Sequence, residues 1–239
     1  MASVCACGEY FTVNGDGELC LVPGQQGLRD VLEFKNAGSY QFRKADYPWL
    51  ARVKVRVQGA GGGSAGANAA NNELLARPGG AGGSYGERLI DAADLAAVES
   101  IVVGAGGAAG AANGPGGAGG TSSFGGFVIA PGGDGGTANM TSGVTLLTAN
   151  GISAPTAGSG DWASGGGGGG GAIRLSGTQG LSGAGGESHL GHGGFGRSTE
   201  GPGTAPRGYG GGAGGALSLG AAEVGADGGE GMVIVELYG

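Results

Sequence analysis

His189 and His192, spaced H-x-x-H, are the only histidines in the chain. Two imidazoles are half of what a zinc site needs, and on a glycine-rich segment they make a weak metal signal. Exposed loop histidines are the plainer reading. Cys5, Cys7 and Cys20 lie near the N-terminus. An odd number leaves one thiol over after any single intrachain disulfide, and zinc would require a fourth ligand or several chains. Free thiols, a disulfide within or between chains, and a metal site all stay open at this point. Residues 101–109 match a strand followed by G-x-G-x-x-A. A dinucleotide site needs a helix next, and residues 110–115 (Gly-Ala-Ala-Asn-Gly-Pro) cannot sustain one. G-x-S-x-G occurs around Ser64 and Ser84. Glycine is frequent enough here to generate such matches by chance, and neither has the helix that a nucleophile elbow requires. No Gly-Lys-Ser/Thr of a P-loop is present, and the carboxylates form no recognisable pair. No catalytic residue, metal or cofactor is assigned.

Glycine, not catalytic chemistry, sets the character of the chain. Of 239 residues 65 are glycine and 8 proline, more than the roughly 25–30% that usually signals low complexity. Leu, Ile, Val and Phe together fall below the roughly 20% of an ordinary core. Charged residues make up only 13%, which is not the profile of a solvated disordered chain. The net charge of −7 makes nucleic acid an unsuitable partner. No apolar run reaches the length of a membrane span, so no membrane insertion is expected. The first residues, Met1-Ala-Ser-Val-Cys5, lack the basic and apolar regions of a signal peptide.

The large apolar residues cluster in strand-length runs that end in glycine. Val53, Val55 and Val57 alternate with Arg52, Lys54 and Arg56, a half-buried strand by its period of two. It runs straight into residues 59–66, where side chains almost vanish. The same change recurs after residues 101–103 and 127–130, and in reverse before residues 232–238. Ordering glycine costs roughly 0.5–1 kcal/mol more per residue than ordering alanine. With no side chain to bury, the compensation has to be backbone hydrogen bonding between segments. Extended three-residue-per-turn helices leave every N–H and C=O free for that purpose. Residues 114–120, 165–171 and 210–215 are expected to be such rods. Glycine does not fall at every third position, which excludes collagen. The expected fold is all-β, a small β-sandwich-like scaffold anchoring a bundle of polyglycine-II helices.

Composition separates residues 1–36, a small attachment or assembly module, from the glycine-rich residues 37–239. In the first, residues 11–13 and 18–22 flank Asn14-Gly-Asp-Gly17 as a hairpin. Pro23-Gly24 ends it, and residues 31–34 add a short strand or a helical turn. In the second, residues 84–90 are expected to be a strand and residues 91–98 a helical turn or a plain turn. Glycine thins out in residues 137–162 and 181–209, which are expected to be the loops that carry recognition.

Several stretches resemble, in order, the glycine-rich domain of bacteriophage minor tail proteins and tail-tip fibres, above all those of phages of actinobacteria. They are residues 53–63, 79–86, 89–95, 102–107, 119–126 and 231–238. The resemblance implies a non-enzymatic tail-tip adhesin that binds a host receptor through loops at the free end of a glycine bundle. It further implies a homotrimer in the distal tail of the virion, assembled in the host cytoplasm. Other tail proteins would be held through the N-terminal module, and the receptor would be a host cell-surface glycan or protein. A structural cap of a tail or injection particle, or a bacterial cell-surface glycine-rich protein, is the alternative. Flat rings suit sugar surfaces, so Trp162, Phe195 and Tyr209, with His189 and His192, are the candidate receptor-binding residues.

Overall fold

The computed structural model describes residue 8, residues 10–22 and residues 27–239. Cys5, Cys7 and the break at Pro23-Gly24 lie outside the described residues. The fold is all-β, and two antiparallel sheets form its sandwich. The first has five strands in the order Trp162–Ser164, Tyr85–Asp91, Arg52–Gln58, Met232–Tyr238 and Leu28–Phe34. The second has four, in the order Val128–Ala130, Ser122–Phe124, Val98–Val103 and Gly38–Arg43. Leu28–Phe34, grouped by composition with the N-terminal module, are hydrogen-bonded along Met232–Tyr238. The hairpin Phe11–Val13 and Leu19–Leu21 forms a separate two-stranded sheet. Of residues 91–98, the two ends belong to strands and residues 92–97 form the turn between them, with the Asp94 N–H donating to the Asp91 carbonyl (3.0 Å).

Alternation explains how the sandwich holds. Val53, Val55 and Val57 stand directly opposite Leu237, Val235 and Val233. All six are fully buried against Phe42, Ile101, Val103, Phe124 and Val128 of the second sheet. Each such side chain contributes about 1.5–3 kcal/mol by leaving water.

Beyond Gln58 the backbone changes its period from two to three. In residues 59–66, successive N–H groups donate to three different neighbours. Gly59 and Gly62 reach Ser84 and Ala81, Ala60 and Gly63 reach Gly120 and Gly117, and Gly61 and Ser64 reach Gly229 and Ala226. The carbonyls of the same segment accept from three more. Gly133 donates to Ala60, Gly107 to Gly61 and Ala213 to Gly62, each at 2.9 Å. One rod thus lies at the centre of six, the lateral pairing that a three-residue turn permits. The three rods expected from sequence are all present. Gly117 donates to Ala108, Gly167 to Glu187, and Gly212 to Gly186. Glycine is needed because the rods are so close. A Cβ on Gly61 would stand 2.0 Å from the Gly211 carbonyl oxygen, and one on Gly62 would stand 2.1 Å from that of Asp134.

The second expected loop is different in the structure. Residues 182–187 and 193–197 are rods inside the bundle, with Gly183 donating to Arg77, Gly186 to Gly80, and Gly194 to Gly212. A three-residue turn demands glycine only where a neighbour's backbone touches, so a rod survives at lower glycine density. Past the far ends of the rods, Leu74, Leu75, Met140 and Leu217 build a second small core. Buried Arg77 donates there to the carbonyls of Gly66 and Met140 and to Asn113 Oδ1. Its burial lowers the guanidinium pKa from the ordinary value.

Candidate functional site

Strands of the first sheet meet rods at one level of the molecule, and two of the candidates, Trp162 and His189, come together there. Tyr85 opens its strand directly after the rod of residues 78–84, and its side chain is buried. Its hydroxyl donates to Glu87 Oε2 at 2.9 Å. Burial, reinforced by that carboxylate, holds the phenol well above the usual tyrosine range. Trp162 lies on the edge strand opposite Glu87 and is 51% exposed. The His189 ring stacks on Tyr85 with centroids 4.0 Å apart, and the Trp162 ring meets both edge-on, at 5.7 and 5.3 Å. Tyr85 is therefore the floor on which two exposed rings are set.

The loop that carries His189 is fastened from below. Gln58, fully buried at the end of its strand, donates through Nε2 to the carbonyls of Gly59, Gly83 and Ser84. Its Oε1 accepts from the Leu190 N–H at 3.2 Å. Ser188 Oγ donates to the carbonyls of Gly191 and Tyr209. Tyr209 thus joins the site through its backbone, and its ring is half-buried. Beside Trp162, Asp161 accepts from the Leu89 N–H at 3.0 Å and pairs with Arg88 at 3.5 Å. Glu87 pairs with Lys54 at 3.4 Å. The result is a pair of exposed ring faces rimmed by carboxylates, suited to stacking and hydrogen bonding with a polyhydroxylated ring.

His192 and Phe195 belong to a different surface. His192 stands opposite Arg207 in a short antiparallel pair, and its Nδ1 lies 2.8 Å from Glu187 Oε2. With Phe195 and Ala205 these residues line a hollow of about 340 Å³. The H-x-x-H spacing does not converge, since one ring goes to Tyr85 and the other to Glu187. Among the described residues no cluster of three His, Cys, Asp or Glu side chains could hold a metal. Cys20, half-buried on the N-terminal hairpin, forms no disulfide among the described residues.

The motifs judged to be chance matches have structural uses. Residues 104–111 are a rod, with Gly107 and Gly110 donating to Gly61 and Ser64. Ser64 and Ser84 are fully buried, Ser64 Oγ accepting from the Ala226 N–H and Ser84 Oγ donating to the Pro131 carbonyl. Sequence reasoning missed Tyr85, Gln58, Glu187 and Arg207. Only Tyr85 left a signal, as the first large ring after a glycine run. Among the described residues no helix is long and apolar enough to cross a membrane.

No curated protein matches the chain. A family model described as a glycine-rich domain matches residues 37–238, and the chain belongs to that glycine-rich domain family.

Proposed function

We propose that the protein is a non-enzymatic adhesin of a phage tail tip that binds a glycan on the host surface. The observation that carries this reading is the pair of exposed rings, Trp162 and His189, seated on buried Tyr85. Exposed aromatic faces are usually costly, and fixing them on a hydrogen-bonded scaffold removes the entropy that a ligand would otherwise have to overcome. The layout supports the same reading. Leu28 pairs with Tyr238 and Phe34 with Val233, so the N-terminal hairpin joins the sheet at the end away from the rods. Attachment to other tail proteins through that hairpin leaves the bundle pointing outward, with the Trp162 and His189 rings at its junction with the sandwich and not at its free end. The working assembly is a homotrimer in the distal tail of the virion.

Adsorption tests this reading. The purified protein should compete with phage for host cells, and Trp162→Ala should lower that competition at least roughly tenfold while the chain stays folded. Undiminished competition by the variant removes Trp162 from the receptor site. Failure of the unmodified protein to compete at all removes the adhesin role.

A further inference from the structure

We propose that the hollow lined by Glu187, His192, Phe195, Ala205 and Arg207 is a second binding site, selective for a sugar that bears an anionic group. This goes beyond the adhesin reading, which rests on a different surface. The chain carries a net charge of −7, yet this hollow of about 340 Å³ brings together a guanidinium, an imidazole and a half-exposed ring. That volume accommodates a monosaccharide unit.

Each side chain has a distinct part. Arg207 is exposed and forms no ion pair among the described residues. Its fork of donors matches a carboxylate or phosphate bidentately. His192 stands opposite Arg207 in register, so the two side chains leave the same face of their short ladder. Glu187 holds the imidazole through Nδ1 at 2.8 Å, which fixes the ring and leaves Nε2 for a ligand. That contact engages one oxygen of the one carboxylate of the hollow, and the other oxygen can accept from a sugar hydroxyl. Phe195 is 58% exposed and offers a face for the sugar ring. Arg197 lies over that ring, its guanidinium carbon 5.7 Å from the centroid, and its Nε donates to the Pro202 carbonyl. The two contacts hold the phenyl in place and add positive charge nearby.

Saturation-transfer NMR on the full chain tests the site with three probes: methyl β-glucuronide, glucose 6-phosphate and neutral methyl β-glucoside. The site predicts that at least one acidic probe binds roughly tenfold or more tightly than the neutral one, as a charge-assisted pair implies. Preference for the glucuronide identifies a carboxylate ligand, and preference for glucose 6-phosphate a phosphate ligand. Arg207→Gln should reduce the acidic probe to the neutral level, and Arg207→Lys should restore only part of the difference. Equal binding of all three probes, binding of none, or an unchanged Arg207→Gln variant overturns the proposal. Loss of acidic-probe binding with adsorption still dependent on Trp162 would leave the adhesin reading standing, and the reverse pattern would leave this one.

Discussion

The sandwich and the glycine bundle are joined by continuous chain but stabilised by different physics. In the sandwich, Val55, Val235, Phe42 and Phe124 interlock as side chains, and the gain comes from apolar surface leaving water. In the bundle there is little to bury, and the rod of residues 59–66 is held by peptide groups bonded to six neighbours. A net contribution of about 0.5–1.5 kcal/mol per hydrogen bond is modest singly. It is sufficient because nearly every residue of the central rod makes one or two such bonds. The lesson is that a side-chain core tolerates removal of atoms better than a backbone core tolerates their addition.

That contrast can be broken at chosen positions. The largest effect is expected from Gly61→Ala. The new methyl meets a carbonyl oxygen at 2.0 Å, and the clash is with backbone, which cannot rotate away. The loss should reach or exceed the roughly 4–5 kcal/mol that marks an exceptional substitution, seen as insoluble or unfolded protein by circular dichroism. Next comes Phe124→Ala in the sandwich. It opens a cavity at a fully buried position and should cost about 3–5 kcal/mol in denaturant titration, with the fold retained. Gln58→Ala removes the donor to three carbonyls at the junction of the two regions. About 1–3 kcal/mol is expected, with faster amide exchange at Leu190. Smallest is Gly126→Ala, where an added Cβ has no heavy atom within 4 Å. Its midpoint should stay within about 0.5 kcal/mol of the parent. If Gly61→Ala proved as mild as Gly126→Ala, the two regions would not differ as described.

Much of the architecture was legible in the sequence, because each region writes its own period. Alternation at Val53, Val55 and Val57 marks a strand with one buried face, and the abrupt loss of side chains after Gln58 marks a rod. Residues 182–187 and 193–197 look like loop in the sequence because their glycines are interleaved with Ala184, Glu187 and Phe195. Only the pattern of neighbours reveals which faces of a rod need glycine. The candidate site was legible as residue types and not as groupings. Trp162 and His189 meet over Tyr85 because of the order in which rods pack, and near-identical glycine segments do not encode that order locally. His192 and His189 are three positions apart yet serve different surfaces, since the tight turn from Ser188 to Gly191 lies between their rings.

Amide hydrogen exchange, resolved by residue, tests the central claim most directly. If lateral peptide bonds stand in for a core, the amides of Gly61, Gly62, Gly63, Gly80 and Gly82 exchange as slowly as those of Val55 and Val235, opening only with the whole fold. Exchange of those glycine amides within minutes, while the valines stay protected, would contradict it.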